Sequence, residues 1–520
     1  MKKRHLQSTL LLAGMLAGIN AAAEFAKPPA PTMGGICFRM DDNQNPQKWS
    51  DVNAVFNRHS LKFGASLNIR VMNPAVFKTM KTMDKDGQEI MDHTPMHNIT
   101  KFRFGPGKSA KDYEENPGVD HIAGNTVFLR FTLPSPKASD PARKVRLDKD
   151  KLTLAGNPDA RTQKELRSAK IVYLPDRKKT YELHRARTPG EFTLRSLWGE
   201  KNVAESPRET DAYFLGDRAL SMVPEALELL GRNALELYAA AGCRRPYTWI
   251  QPGGGVCNVD AALVRETLGK RLGYKSAATY IHQSKKVFNE YNPDGNCAYA
   301  MMWGDFDESR HPLDWNQTRI ADLVALHHVA IGHSHMHPKD GWENYMKRLD
   351  GLLAWCVAEN IPVKTLSQWA ELLYSPEKRI IPSGNVFPAL NIDRDHNGRP
   401  DGYQPARGRW DLKTPAIVAK SQGKIFSVEN LGGLVKGQNK LAFSVQVEGS
   451  ACRLEVSVKF PDTNAPPLQK SFSLKPGGNS CEWLLTIPEK ASTADFVWTL
   501  PDGGDCRISP ISLTGLPPGA

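Results

Sequence analysis

At 520 residues the chain exceeds what one ordinary hydrophobic core serves, so two or three domains are expected. Its only long apolar run, residues 10–19, is too short to span a bilayer, which argues against a transmembrane anchor. The formal net charge of +12 suits an acidic glycan or a cell-envelope polymer.

That apolar run follows Lys2, Lys3 and Arg4 and precedes Ala21-Ala22-Ala23, the order of a cleaved signal peptide over residues 1–23. No cysteine follows closely enough for a lipid anchor. Cleavage would remove those three basic residues and no acidic one, taking the charge from +12 to +9. The protein is expected in the periplasm or outside the cell, where nucleic acid is not its partner. Its eight cysteines contain no C-x-x-C and form no dense framework. Cys37 reads as a buried thiol, and at most one pair can form among Cys452, Cys481 and Cys506.

In chain order, residues 33–105 read as strand, helix, strand and a histidine motif. The first strand, Gly35-Ile36-Cys37-Phe38-Arg39-Met40, runs into Asp41-Asp42. Residues 106–209 change to short alternating runs such as Thr126-Val127-Phe128-Leu129, a basic β-rich insertion. The helical pattern resumes over residues 217–241, with Met222, Ala226, Leu227, Leu230 and Leu237 on one face and Gly242 as terminator. A strand is expected to lead into Arg244-Arg245-Pro246-Tyr247, with Asn258 capping a helix that ends at Gly273. Trp342, Tyr345, Met346, Leu349, Leu352, Leu353 and Cys356 have the spacing of an amphipathic helix packed on a core.

Strands alternating with helices over 33–105 and 210–375 predict a parallel β/α barrel, with chemistry at the carboxyl ends of its strands. Asp41, Arg244 and His333 each fall near such an end. Residues 376–409 read as a linker. Residues 410–520, with runs such as Leu441-Ala442-Phe443-Ser444-Val445, predict an all-β sandwich that could bind carbohydrate.

Asp42, His93 and His97 can supply one carboxylate oxygen and two imidazole nitrogens, the ligand set of a catalytic divalent-metal site with open positions. Asp41 is then left beside the ion as a free base. In His93-Thr94-Pro95-Met96-His97, Pro95 suits the first position of a helix capped by Thr94, so that the two histidines straddle a helix start. Asp393, Asp395, Asn397 and Asp401 alternate as in a calcium loop with Gly398 at its bend, or form a polar turn between domains.

Asp41-Asp42, the histidine pair led by Gly87-Gln88-Glu89-Ile90, Arg244-Arg245-Pro246-Tyr247 and Gly332-His333-Ser334-His335 together resemble the polysaccharide deacetylases, the NodB-like enzymes of carbohydrate esterase family 4. The resemblance covers residues 33–105 and 210–375. It implies a distorted (β/α) barrel and hydrolysis of acetyl groups on sugars. It also implies Asp41 as general base, Asp42, His93 and His97 as ligands of a divalent metal, most simply zinc, and Arg244 as the residue orienting the base. The Tyr247 amide would face the oxyanion, and His333 would be the acid, with His335 as second choice. Asp314-Trp315, with Trp303 competing, would wall the acyl pocket. The family's T-F-D-D-G motif stands here as Phe38-Arg39-Met40-Asp41-Asp42-Asn43, without the glycine.

The expected function is that of an exported metal-dependent polysaccharide deacetylase acting on N-acetyl groups of amino-sugar glycans. An O-acetyl glycan esterase and a glycan-binding protein without catalysis are the alternatives.

Overall fold

The computed structural model describes residues 34–516, except 43–44, 72–73, 134–135, 138, 157–158, 160–161, 164–165, 167–168, 186–187, 189, 201–202, 204, 216–219, 253–256, 260, 279–286, 290–298, 306–312, 376 and 379–383. The expected signal peptide lies outside the described residues. They form two compact units, one of Gly35–Ile320 with His328–Ile380 and one containing Ala321–His327 and Ile381–Ala520.

The first unit is mixed α/β. Its sheet begins with β1 (Gly35–Asp41), buried at every position. Then come α1 (Pro46–Arg58), β2 (Gly64–Leu67), α2 (Pro74–Lys85) and β3 (Glu89–Asp92). After an insertion follow α3 (Pro224–Ala240), β4 (Thr248–Ile250), β5 (Ser276–Ala278), β6 (Val287–Asn289), β7 (Tyr299–Asp305), α4 (Leu313–Ala325, whose residues from Ala321 belong to the second unit) and β8 (Val329–Ser334). α5 (Trp342–Ala358) and α6 (Leu366–Tyr374) complete the unit.

The strand order is β6-β5-β4-β3-β2-β1-β8-β7. Every pairing is parallel except β5 with β6. β1 and β8 are apolar almost throughout because central parallel strands are covered on both faces. Among the described residues this sheet forms a half-barrel with β6 and β7 at its edges, the coarser part of the distorted-barrel expectation. β6 runs antiparallel to β5 at one edge.

The start of β1 shows why glycine stands at position 35. A Cβ there would lie 2.2 Å from Trp369 Cζ2 and 2.4 Å from the Pro362 carbonyl oxygen. The close approach lets the Trp369 indole donate to the Ile36 carbonyl at 3.1 Å, tying α6 to the sheet.

Two predicted helix starts shift. α3 begins at Pro224, with proline in its first turn, so Met222 belongs to the strand Leu220–Met222. Gly242, at φ +62°, follows the helix end as expected. Asn258 lies in the short strand Cys257–Asn258 and not at a cap; the next helix opens at Ala261, continues as a π-helical stretch Arg265–Arg271, and is followed by Gly273 at φ +69°. α5 buries Tyr345, Leu349, Leu352, Leu353 and Cys356, the stripe its spacing predicts.

Among the described residues the insertion forms a closed barrel. Six antiparallel strands follow one another in the order Ile171–Leu174, Lys179–Arg185, Glu191–Arg195, Lys151–Leu154, Arg143–Lys149 and Glu205–Phe214. The last strand pairs with both Arg143–Lys149 and Ile171–Leu174, which removes the exposed edges. Val145, Leu147, Leu152, Val172, Leu174 and Leu194 are fully buried inside. On that wall Glu205 accepts from the Tyr181 hydroxyl and from Arg208 Nη1 at 2.6 Å. Burial would raise the Glu205 pKa, but those two donors hold it below the ordinary value.

The second unit carries two five-stranded antiparallel sheets. Gly437–Glu448 alternates buried and exposed residues along its length, and Phe426 and Trp498, stacked at 4.5 Å, sit in the shared core. Among the described residues no helix is long and apolar enough to cross a membrane. Cys37 is a free, buried thiol whose pKa burial pushes well up.

Candidate active site

The carboxyl ends of β1, β3 and β8 bring the chemistry together. β1 carries Arg39 and Asp41 two residues apart, hence on one face of the strand. Arg39 Nη2 donates to Asp41 Oδ2 at 2.6 Å, with the two side chains 2% and 3% exposed. Burial alone would raise the Asp41 pKa; the Arg39 guanidinium, with the His93 and His333 imidazoles, instead holds it below the ordinary carboxylate value. Asp42 then turns out of the strand at φ +70°, a left-handed conformation that aspartate tolerates better than most residues.

The histidine motif follows β3 as a turn and not as the helix start expected of Pro95. Thr94 and His97 both have positive φ, +65° and +54°. Side chains impose this path. Asp92 Oδ1 accepts the Thr94 N–H at 2.9 Å, Asn68 Nδ2 donates to the His93 carbonyl at 2.7 Å, and Thr94 Oγ1 accepts the Asn98 N–H at 3.0 Å. Asp92 is fully buried against the Tyr274 hydroxyl at 2.8 Å, and burial pushes its pKa up to about 7.

His93 Nδ1 donates to the Ile250 carbonyl at the end of β4, at 3.0 Å. That bond puts a proton on Nδ1 and turns Nε2 toward the site. His93 Nε2 and His97 Nε2 lie 3.4 and 3.0 Å from Asp42 Oδ1. Burial would raise the Asp42 pKa, but hydrogen bonds from His93 and His97 hold it far below the usual range.

β8 pairs with β1 so that His333 stands opposite Arg39. His333 is 8% exposed, and its ring lies 4.7 Å from that of His335 in an edge-to-face contact. The turn beyond β8 is held by Ser334 Oγ, which accepts the Met336 N–H at 3.0 Å and lies 2.9 Å from the Tyr345 hydroxyl. Lys48 Nζ donates to the Met336 carbonyl at 2.7 Å.

Two ligand-forming groups therefore meet: Asp42, His93 and His97, and Asp41, His333 and His335, the atoms within each group lying within 4.8 Å of one another. His335 Nε2 is 4.0 Å from Asp42 Oδ2, so the groups adjoin. Asp41 Oδ1 is buried without a hydrogen-bond partner, and Asp42 Oδ1 is buried against the two imidazoles. A buried carboxylate oxygen facing two imidazoles fits a divalent cation, and Asp42, His93 and His97 would hold it. In the other group Asp41 already shares an oxygen with a guanidinium, which makes it the poorer cation ligand and leaves Oδ1 able to accept a proton.

Arg244 and Tyr247 are not at this site. They precede β4 and so stand at the amino end of the sheet, where with Asp84, Gly87, Glu89, Thr365 and Ser367 they line a cavity of about 190 Å³. The Arg244 side chain is 61% exposed, 3.4 Å from Asp84 Oδ1, and its guanidinium sits over the Tyr247 ring at 5.6 Å. The Tyr247 carbonyl receives the Lys275 N–H at 2.7 Å. The apolar run Thr248-Trp249-Ile250 comes after this motif, so the motif opens a strand instead of leaving one. Arg39 occupies the place expected of Arg244, and an arginine within a buried apolar strand two residues before the acidic pair was its sequence signal. The side chains of Trp303, Asp314 and Trp315 lie outside the described residues.

In the second unit Asp393, Asp395 and Asp401 converge with ligand atoms within 4.8 Å. Asn397 does not join them: its Nδ2 donates to Asp395 Oδ2 at 2.7 Å and its Oδ1 accepts the Arg399 N–H at 2.8 Å. Asp401, 2% exposed, is ion-paired with Arg394 Nη1 at 2.7 Å, so a cation there competes with a guanidinium.

No family model and no curated protein matches the chain. Among solved structures it is similar to the Xyl-CE4 domain of a multidomain xylanase from the hindgut metagenome of Trinervitermes trinervoides, at 8% identity over 65% of this chain and 90% of that one, with a TM-score of 0.28. The CBM22-1 xylan-binding domain of Paenibacillus barcinonensis Xyn10C matches at 7% identity over 24% of this chain and 90% of that one, TM-score 0.20. BiXyn10A CBM1 matches at 15% over 21% and 79%, TM-score 0.17. Likenesses at these scores carry no argument about activity, which rests on the side chains of the site.

Proposed function

We propose that the first unit is a metal-dependent hydrolase of acetyl groups on glycans, a deacetylase of N-acetylated amino sugars. The observation that carries the reading is the meeting of Asp42, His93 and His97 with Asp41 and His333 at the carboxyl ends of β1, β3 and β8, within the run β3-β2-β1-β8 of one sheet. A divalent ion held by Asp42, His93 and His97, zinc by its ligand set, would polarise the acyl oxygen and make water more acidic.

The residues of the chain divide the remaining work. Asp41 Oδ1 takes a proton from the attacking water, while Arg39 keeps Oδ2 occupied and the carboxylate ionised. His333, or His335 as second choice, gives a proton to the departing nitrogen. An amine leaves far less readily than an alkoxide without that proton, so a buried imidazole beside the base favours amide over ester substrates; O-acetyl esters remain within reach of the same groups. Asp393, Asp395 and Asp401 are proposed as a separate, structural calcium site.

Acetate release is to be measured over chitin oligomers, peptidoglycan, and acetylated plant and mucin glycans. Release from an N-acetylated polymer, lost in Asp41→Asn, supports the reading. Binding of those glycans without acetate release from any of them favours a binding protein instead.

A further inference from the structure

Arg39 is paired with Asp41, a member of one of the two ligand-forming groups. It donates to Asp41 Oδ2 from a fully buried position, and its Nε and Nη1 have no hydrogen-bond partner. Opposite it in register stands His333, with His335 beyond, so Asp41, His333 and His335 surround a space like that among Asp42, His93 and His97. By donor type and spacing both groups can take a divalent ion, and the two would be neighbours as in two-metal hydrolases.

We propose that Arg39 sets the metal count: its guanidinium stands in for a second cation on Asp41, so that the site holds one divalent ion and Asp41 is kept as a base. The inference rests on the reading that Asp42, His93 and His97 take the first ion. Charge favours it. Two carboxylates, one guanidinium and one divalent ion sum to a formal +1, whereas a second ion would bring the cluster to +3. Arg39, Asp41 and His333 are the buried side of the cluster, where a second ion would lie against the guanidinium with little water between them, and that repulsion opposes it. Arg39 is thus a positioning residue, acting through Asp41. A residue that merely filled space would not raise the number of bound ions when removed.

The test is zinc stoichiometry, by equilibrium dialysis of the full chain against zinc chloride followed by elemental analysis. Wild type, Arg39→Met, Arg39→Lys and Arg39→Met/His335→Ala are compared. Ions bound elsewhere, at residues 393–401 for instance, cancel in the differences. Arg39→Met is expected to bind one zinc more than wild type, Arg39→Lys the wild-type number, and the double variant to lose the extra ion. Should Arg39→Met not fold, as judged by circular dichroism, Arg39→Gln replaces it.

An unchanged count in the neutral variant, or an extra ion in Arg39→Lys, overturns the proposal. So does a wild type from which His335→Ala removes an ion. If wild type binds nothing that His97→Ala removes, the proposed hydrolytic site fails and the one-ion count with it; an unchanged count in Arg39→Met with that first ion present overturns the role of Arg39 alone.

Discussion

Replacing Asp41 by asparagine keeps the shape of the side chain but strips the partner from a guanidinium that is 2% exposed. Breaking a buried pair from one side costs about 3–5 kcal/mol, because the remaining charge is left uncompensated. The 2.6 Å contact and the two orphan nitrogens of Arg39 put this pair at the upper end of that range. Removing both charges is a different matter, since buried pairs replaced by apolar groups of similar volume are often neutral in stability. Arg39→Met/Asp41→Asn is therefore expected to regain most of what Asp41→Asn loses, a coupling of about 2–3 kcal/mol in the double-mutant cycle. Chemistry should not follow stability. Loss of a general base lowers the rate by roughly 10²–10⁴-fold, and the double variant should be as slow as the single one. Urea unfolding gives the cycle and acetate release gives the rates. Additive stabilities, or an Asp41→Asn protein that turns over undiminished, would refute the argument for the pair.

Arg244→Ala should leave acetate release within about twofold of wild type and stability within about 0.5 kcal/mol, since its side chain is 61% exposed at the far end of the sheet; a large loss of rate would return it to the catalytic machinery. Glu205→Ala should destabilise the insertion barrel by about 3 kcal/mol near neutrality, read by thermal unfolding. Because the Glu205 pKa is lowered in the folded barrel, its contribution is present above the unfolded carboxylate value and lost as pH falls through the folded one; wild type and variant should converge in acid. Millimolar calcium should raise the melting temperature of wild type and not of Asp395→Ala, with a response enlarged in Arg394→Ala, where the competing guanidinium is gone.

Much of this site can be read along the chain where the signal is local. Asp41-Asp42 ends a strand that is apolar except for Arg39, and His333 lies at the end of another, so their shared end of the sheet follows from strand direction alone. The alternation in 441–447 likewise yields a two-faced strand without further information. What escapes is set by partners distant in sequence. The turn at His93 and His97 depends on Asn68, 25 residues away, and on Asp92, whose carboxylate outcompetes the helix that Pro95 would start. The direction of the strand beside Arg244 cannot be taken from the motif, and three residues of β4 placed after it reverse the assignment. Closure of the insertion barrel needs one strand to pair with two others, which alternation does not encode.

The central claim is that one divalent ion sits on Asp42, His93 and His97 while Asp41 remains paired with Arg39. Anomalous scattering at the zinc edge from crystals of the zinc-loaded protein tests it most directly. The expected result is one strong peak in the first unit, about 2.0–2.2 Å from Asp42 Oδ1 and the Nε2 atoms of His93 and His97. A peak among Asp41, His333 and His335, or none near either group, would contradict it.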